Sequence, residues 1–101
     1  MNYKIYQTDP KTCEYCFDWW DWAKDYFNFK DYTLVYEGEV PETDTSKPDT
    51  YILEMLFIKF NIARPEDFKG HSLSVSDIVE LDGKYYYCDN VGWTEITKYI
   101  K

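Results

Sequence analysis

Glycine, histidine and positive charge are all scarce in this chain of 101 residues. The four glycines, Gly38, Gly70, Gly83 and Gly92, lie far apart, so no glycine-rich loop is present to wrap a phosphate. Eleven basic residues stand against 19 acidic ones, a net charge of -8. That balance excludes an ordinary nucleic-acid binder and disfavours anionic membranes, because neutralising phosphate requires a basic face. Long apolar runs are missing as well. The densest, Met55-Leu56-Phe57-Ile58, falls far short of the ~20 residues a membrane-spanning helix needs, and no charged and then apolar stretch opens the chain, so no secretory signal is expected. Cysteine occurs three times, at Cys13, Cys16 and Cys88. An extracellular chain would not normally leave one thiol unpaired, which points to a reducing cytoplasm.

Aromatic residues are plentiful: eleven Tyr, six Phe and four Trp. They supply ample area for a core, and the length suits one domain over residues 1–101. Some of the rings must reach the surface, since each Tyr and Trp has a polar group to satisfy. Charge is unevenly divided. Residues 1–50 hold 11 acids and 5 bases, and residues 51–101 hold 8 and 6, so the negative field belongs mainly to the first half.

Asn2 to Gln7 alternate as a strand does. Asp9 as N-cap and Pro10 at the first helical position open a predicted helix over 10–27. On it Cys13, Phe17, Trp20, Ala23 or Lys24, and Phe27 form a core stripe, and Tyr15, Trp19, Trp22 and Tyr26 form a second aromatic row. Between the two rows Glu14, Asp18, Asp21 and Asp25 align four carboxylates. Tyr32 to Glu37 predict a second strand, ended by Gly38 and Pro41. Residues 40–50 read as a mobile acidic loop. A second amphipathic helix covers about 50–60, capped by Asp49 or Thr50, with Ile52, Leu53, Leu56, Phe57 and Phe60 inward and a stop before Ala63-Arg64-Pro65. Asp77 to Leu81 and Lys84 to Cys88 flank Asp82-Gly83, the dipeptide best suited to a type I′ hairpin turn. The tail from Thr94 to Lys101 reads as a short strand or a helical turn. The expected fold is α+β, a three- to four-stranded, mainly antiparallel sheet packed by two helices.

No catalytic constellation stands out. His71, Ser72, Ser74, Ser76 and Asp77 are the residue types of a hydrolase triad, but crowded into seven residues they cannot easily converge on one substrate atom, and such hydroxyls more often cap turns. Cys13 and Cys16, with His71 and Cys88, would supply a Cys₃His zinc set, yet they lack the two paired-ligand turns of a zinc ribbon and read better as core thiols. No metal or cofactor is expected. The acidic row is either a solvated helix face or a contact surface. Helix neighbours three and four apart lie ~5–6 Å from one another, comparable with phosphate spacing along a strand, and Trp19 and Trp22 beside them resemble an interface hot spot with its polar surround.

The run from Pro65 to Leu81 (PEDFKGHSLSVSDIVEL), followed by Tyr85-Tyr86-Tyr87-Cys88-Asp89 and Gly92-Trp93, resembles the YodL-like domain family of Firmicutes and their mobile elements. The resemblance continues upstream through Tyr32 to Gly38 and the helix ending Phe60-Asn61, covering most of residues 32–96. Trp93 stands where Phe is usual and Cys88 where Val is, and both changes fit packing. The resemblance implies a domain found alone or within larger proteins of plasmids, conjugative elements and phages, often beside antirestriction modules, and it brings no catalytic residues. The expected function is therefore a non-enzymatic protein-interaction module, in its sharper form an anti-CRISPR or antirestriction inhibitor that mimics nucleic acid. Glu14, Asp18, Asp21, Asp25, Trp19 and Trp22 would meet the protein partner. The alternative is a protein that binds or sequesters a nucleotide-like small ligand in an aromatic pocket.

Overall fold

The computed structural model describes residues 1–100. Its frame is a five-stranded antiparallel sheet: β1 (Asn2–Gln7), β2 (Thr33–Glu39), β3 (Ile78–Leu81), β4 (Lys84–Cys88) and β5 (Trp93–Glu95), in the order β2-β1-β3-β4-β5. The sheet thus has one strand more than the three or four expected. The extra strand, β5, pairs with β4 through only three residues, Trp93 to Glu95, too short a stretch to show alternation. The C-terminal segment holds both predicted alternatives, β5 and then a 3₁₀ turn at Thr97–Tyr99; Lys101 lies outside the described residues.

Period-two alternation sends successive side chains to opposite faces. Tyr3, Ile5, Val79 and Leu81 join one core cluster, with Ile52, Leu53, Leu56 and Phe60 of the main helix. Ile78 and Tyr87 face the other way and pack with Tyr15, Trp20, Ala23 and Ile96. Both faces of the sheet are therefore covered, each by a chain crossover.

The helix on the first face spans Asp49–Ile62, close to the predicted 50–60. Neither Asp49 nor Thr50 is its cap. The N-cap position falls on Pro48, and the Asp49 carboxylate instead accepts a 2.6 Å hydrogen bond from the Tyr86 hydroxyl, tying the first turn to β4. Residues 42–44 of the expected mobile loop form a 3₁₀ turn, and Val40 before them is buried. At the β3–β4 turn, Asp82 and Gly83 have φ of 46° and 91°, the left-handed pair a type I′ turn requires.

The predicted helix over 10–27 does not form. Its only α-helical part is Trp20–Ala23, within a succession of turns. Asp9 does begin a turn, its Oδ1 accepting the Lys11 N–H and its carbonyl the Thr12 and Cys13 N–H groups. The backbone is then broken at Phe17, whose φ is +71°. Every residue from Cys13 to Trp22 except Glu14 is a middling or poor helix former, and a straight helix would bury only one row of rings. Turning the chain buries Tyr15, from the second row, together with Trp20 and Ala23 from the first.

Gly38 lies opposite Tyr3 in the β1–β2 register, and a methyl group at Gly38 would come within 2.5–2.9 Å of the Tyr3 phenol. Replacing Gly38 with Ala forces that buried ring to shift and is expected to cost about 1–3 kcal/mol, read as a lowered urea midpoint with unchanged slope.

Candidate functional site

The motif from His71 to Asp77 is a lock with Leu73, Ser76 and Asp77 buried at its centre. Asp77, 1% exposed, accepts hydrogen bonds at Oδ2 from Gln7 Nε2 (3.0 Å) and the Ser74 N–H (2.9 Å). Gln7 also donates to the His71 carbonyl (2.8 Å) and accepts the His71 N–H (3.1 Å), so one side chain at the end of β1 fastens both ends of the motif. The Asp77 carbonyl takes the Cys88 N–H and the Cys88 carbonyl takes the Ser76 N–H, both at 2.8 Å. Burial pushes the Asp77 carboxyl up to about 7, against the opposing pull of the Ser74 hydrogen bond and of His71. Burial likewise pushes the Cys88 thiol up to about 12, with Asp77, Glu54 and Asp89 adding to the effect, so it stays protonated and is a poor nucleophile and metal ligand. His71 Nδ1 lies 2.8 Å from the Ser72 carbonyl. Among the described residues, no three His, Cys, Asp or Glu side chains converge as a metal site requires.

This lock reaches outward into the 15–26 segment. Ser76, itself at φ +84°, points its Oγ at the left-handed kink and accepts the Phe17 N–H (3.1 Å). The Tyr87 hydroxyl donates to the Asp18 carbonyl (2.6 Å), and Asp89 Oδ1 accepts the Trp20 N–H (3.2 Å). Inside, Trp20 packs at 5.0 Å on Tyr87 and 5.2 Å on Phe27. Three residues of the sequence motif, Ser76, Tyr87 and Asp89, thus hold three successive points of one loop.

Phe17 is 54% exposed, Trp19 50%, Trp22 68% and Tyr26 67%. With Asp18 they line an open groove of about 380 Å³. Glu14, Asp18, Asp21 and Asp25 are all exposed, with only Asp18 in the groove lining, and Asp21 lies 4.0 Å from Lys24 in a surface ion pair of little energetic weight. The even row of four carboxylates requires the helix and is lost with it, since only Asp21 lies within Trp20–Ala23. Trp19 and Trp22 do face outward, joined by Tyr26 and by Phe17, which helical spacing had placed in the core. Nothing in the sequence signals a left-handed backbone at a phenylalanine.

A family model described as the YodL-like domain matches residues 2–99, which extends the resemblance of residues 32–96 to the N-terminal segment. "Uncharacterized protein R785" of Acanthamoeba polyphaga mimivirus is 37% identical, over 69% of this chain and 73% of that protein. No solved structure matches the chain.

The raised Asp77 carboxyl has a thermodynamic consequence with a definite sign. Between about pH 4, where an unfolded Asp loses its proton, and about pH 7, the folded state retains the proton and the unfolded state does not, so stability falls as pH rises through that window. Asn at position 77 keeps an acceptor for Gln7 and Ser74 but cannot ionise. Urea denaturation across pH 4–8 should therefore give a shallower decline for Asp77→Asn than for the parent; parallel curves would show that Asp77 is ionised in the fold.

Proposed function

The chain belongs to the YodL-like domain family, and from that premise we propose that it is a non-enzymatic protein-interaction module whose contact surface is the loop bearing Phe17, Trp19, Trp22 and Tyr26. The observation that carries this reading is the kink at Phe17. A non-glycine residue in the left-handed region costs of order 1–3 kcal/mol and persists only where its surroundings hold it. Here Ser76 holds it, and the result is a phenylalanine ring turned toward solvent beside two indoles and a phenol. A fold that uses buried groups to keep apolar rings in water gains no stability from those rings.

Charge indicates the partner's chemistry. Asp18 lines the groove with the rings, and Glu14, Asp21 and Asp25 are exposed on the same 14–26 segment of a chain of net charge -8, so the complementary surface is basic. An arginine or lysine there would meet a carboxylate at the rim and an indole face at the centre, the latter contact worth roughly 0.5–2 kcal/mol. The sharper form of the proposal makes that basic surface the nucleic-acid channel of a host defence nuclease, with the chain acting as an anti-CRISPR or antirestriction inhibitor. The negative field and the resemblance to domains of mobile elements support this form. Without an even carboxylate row, binding depends on the rings first, and charge steers the approach.

The expected ranking follows from typical magnitudes. A central aromatic hot spot contributes about 2 kcal/mol or more, whereas an exposed ion pair contributes about 0.2–1 kcal/mol. Against a panel of purified restriction and CRISPR nucleases, Trp22→Ala should weaken binding by about 30-fold or more. Reversing Asp18, Asp21 and Asp25 to Lys should chiefly slow association and flatten its salt dependence. Phe17→Gly should weaken binding while leaving thermal stability equal or higher, because glycine relieves the kink. Equal binding by all three variants would remove the loop from the interface, and absence of nuclease inhibition by the parent chain would discard the sharper form alone.

A further inference from the structure

The largest groove among those described lies on another part of the surface, and its chemistry is opposite. It measures about 590 Å³, within the usual range of ligand sites, and runs between residues 27–30 and the C-terminal 3₁₀ turn. Lys24, Lys30 and Lys98 line it together with Phe27, Phe29 and Tyr99. Among the described residues no carboxylate lines it, although Asp21 lies 4.0 Å from the Lys24 ammonium. In a chain with 19 acidic residues this is a local exception: the groove beside Trp22 contains Asp18, and the one beside Tyr15 contains Glu14 and Asp31.

The rings are fixed from behind. Tyr99 packs edge-on against Trp20 at 5.0 Å, Phe27 against Trp20 at 5.2 Å, and Phe29 against Tyr6 at 4.9 Å and Tyr85 at 5.5 Å. Asn28 contributes an amide to the lining. Its Oδ1 accepts the Lys30 N–H at 3.0 Å, which leaves the NH₂ group to donate to a ligand. Lys98 Nζ lies 5.4 Å from the Tyr99 ring centre, so cation and ring are presented together.

We propose that this groove binds a small phosphorylated ligand with a planar ring, of the nucleoside monophosphate class. The ammonium groups of Lys30 and Lys98 receive the phosphate, the aromatic edges hold the base, and the Asn28 amide donates to an acceptor on the base or sugar. The rest of the surface sets the size of the ligand. Screening acts over about 8 Å at physiological salt, so one phosphate is attracted by the nearby lysines, whereas a longer strand extends into the field of a chain of net charge -8. This site does not rest on the aromatic-loop reading and shares none of its exposed rings.

Calorimetry or heteronuclear NMR titration with adenosine monophosphate at physiological salt tests the site directly. Saturable binding with Kd below about 1 mM is expected, with adenosine and inorganic phosphate each at least about tenfold weaker. The double variant Lys30→Glu/Lys98→Glu should lower affinity at least about tenfold, while the charge-matched Lys47→Glu/Lys69→Glu, outside the groove, should stay within about twofold. All four side chains are exposed, and far-UV circular dichroism would verify that both variants fold. No saturable binding, equal binding of adenosine and the monophosphate, equal binding of phosphate alone, or equal loss in both variants would each overturn the proposal. Tighter binding of an eight-nucleotide single strand would overturn it in favour of a strand-binding groove.

Discussion

A single buried carboxyl group organises this molecule. Asp77 receives hydrogen bonds from Gln7, which ends β1, and from Ser74, and its own backbone pairs with Cys88 at the end of β4. An acid removed from water is tolerated only where such donors replace the lost hydration. Three separate parts of the chain must therefore meet before Asp77 can be buried. Once they have met, the start of β3 is set, and with it the left-handed turn at Ser76 that directs the serine hydroxyl at the outer loop.

The two faces of the sheet are covered by different means. On one, a regular helix inserts Ile52, Leu53, Leu56 and Phe60 against Tyr3, Ile5 and Val79. On the other, irregular chain wraps aromatic side chains around Tyr87, with Trp20 tilted on Tyr87 and edge to face with Phe27. Rings are large enough to fill such a layer without periodic backbone, but the backbone polar groups of an irregular segment need partners that a helix would supply internally. Ser76, Tyr87, Asp89 and Tyr15 provide them. The side chains of the motif thus substitute for secondary structure in the crossover.

Much of the frame was legible in the residues. Alternation marks β1, β-branched and aromatic composition marks β2, Asp82-Gly83 marks the β3–β4 hairpin, and three- and four-residue spacing locates the long helix, each a local signal that the tertiary packing leaves in place. Helical spacing fails in the crossover for a physical reason. In a stretch as rich in aromatics as Tyr15 to Phe27, rings fall three and four apart in several registers at once, so helical spacing ceases to discriminate. The carboxylate row derived from that helix disappeared with it. The outward position of Trp19 and Trp22 was anticipated, the display of Phe17 was not, and the basic groove joins residues 24–30 to residues 98–99 in a way no local pattern reveals.

The residues that fasten the outer loop and those it exhibits are different residues. Ser76, Tyr87 and Asp89 hold main-chain atoms of Phe17, Asp18 and Trp20, and none of them depends on what the side chains of Trp19, Trp22 or Tyr26 happen to be. Exposed positions of that kind usually tolerate exchange within about 0.5 kcal/mol. The molecule can in consequence be retargeted by swapping a few solvent-facing groups while its scaffold stays intact, the kind of arrangement in which recognition can diverge faster than architecture.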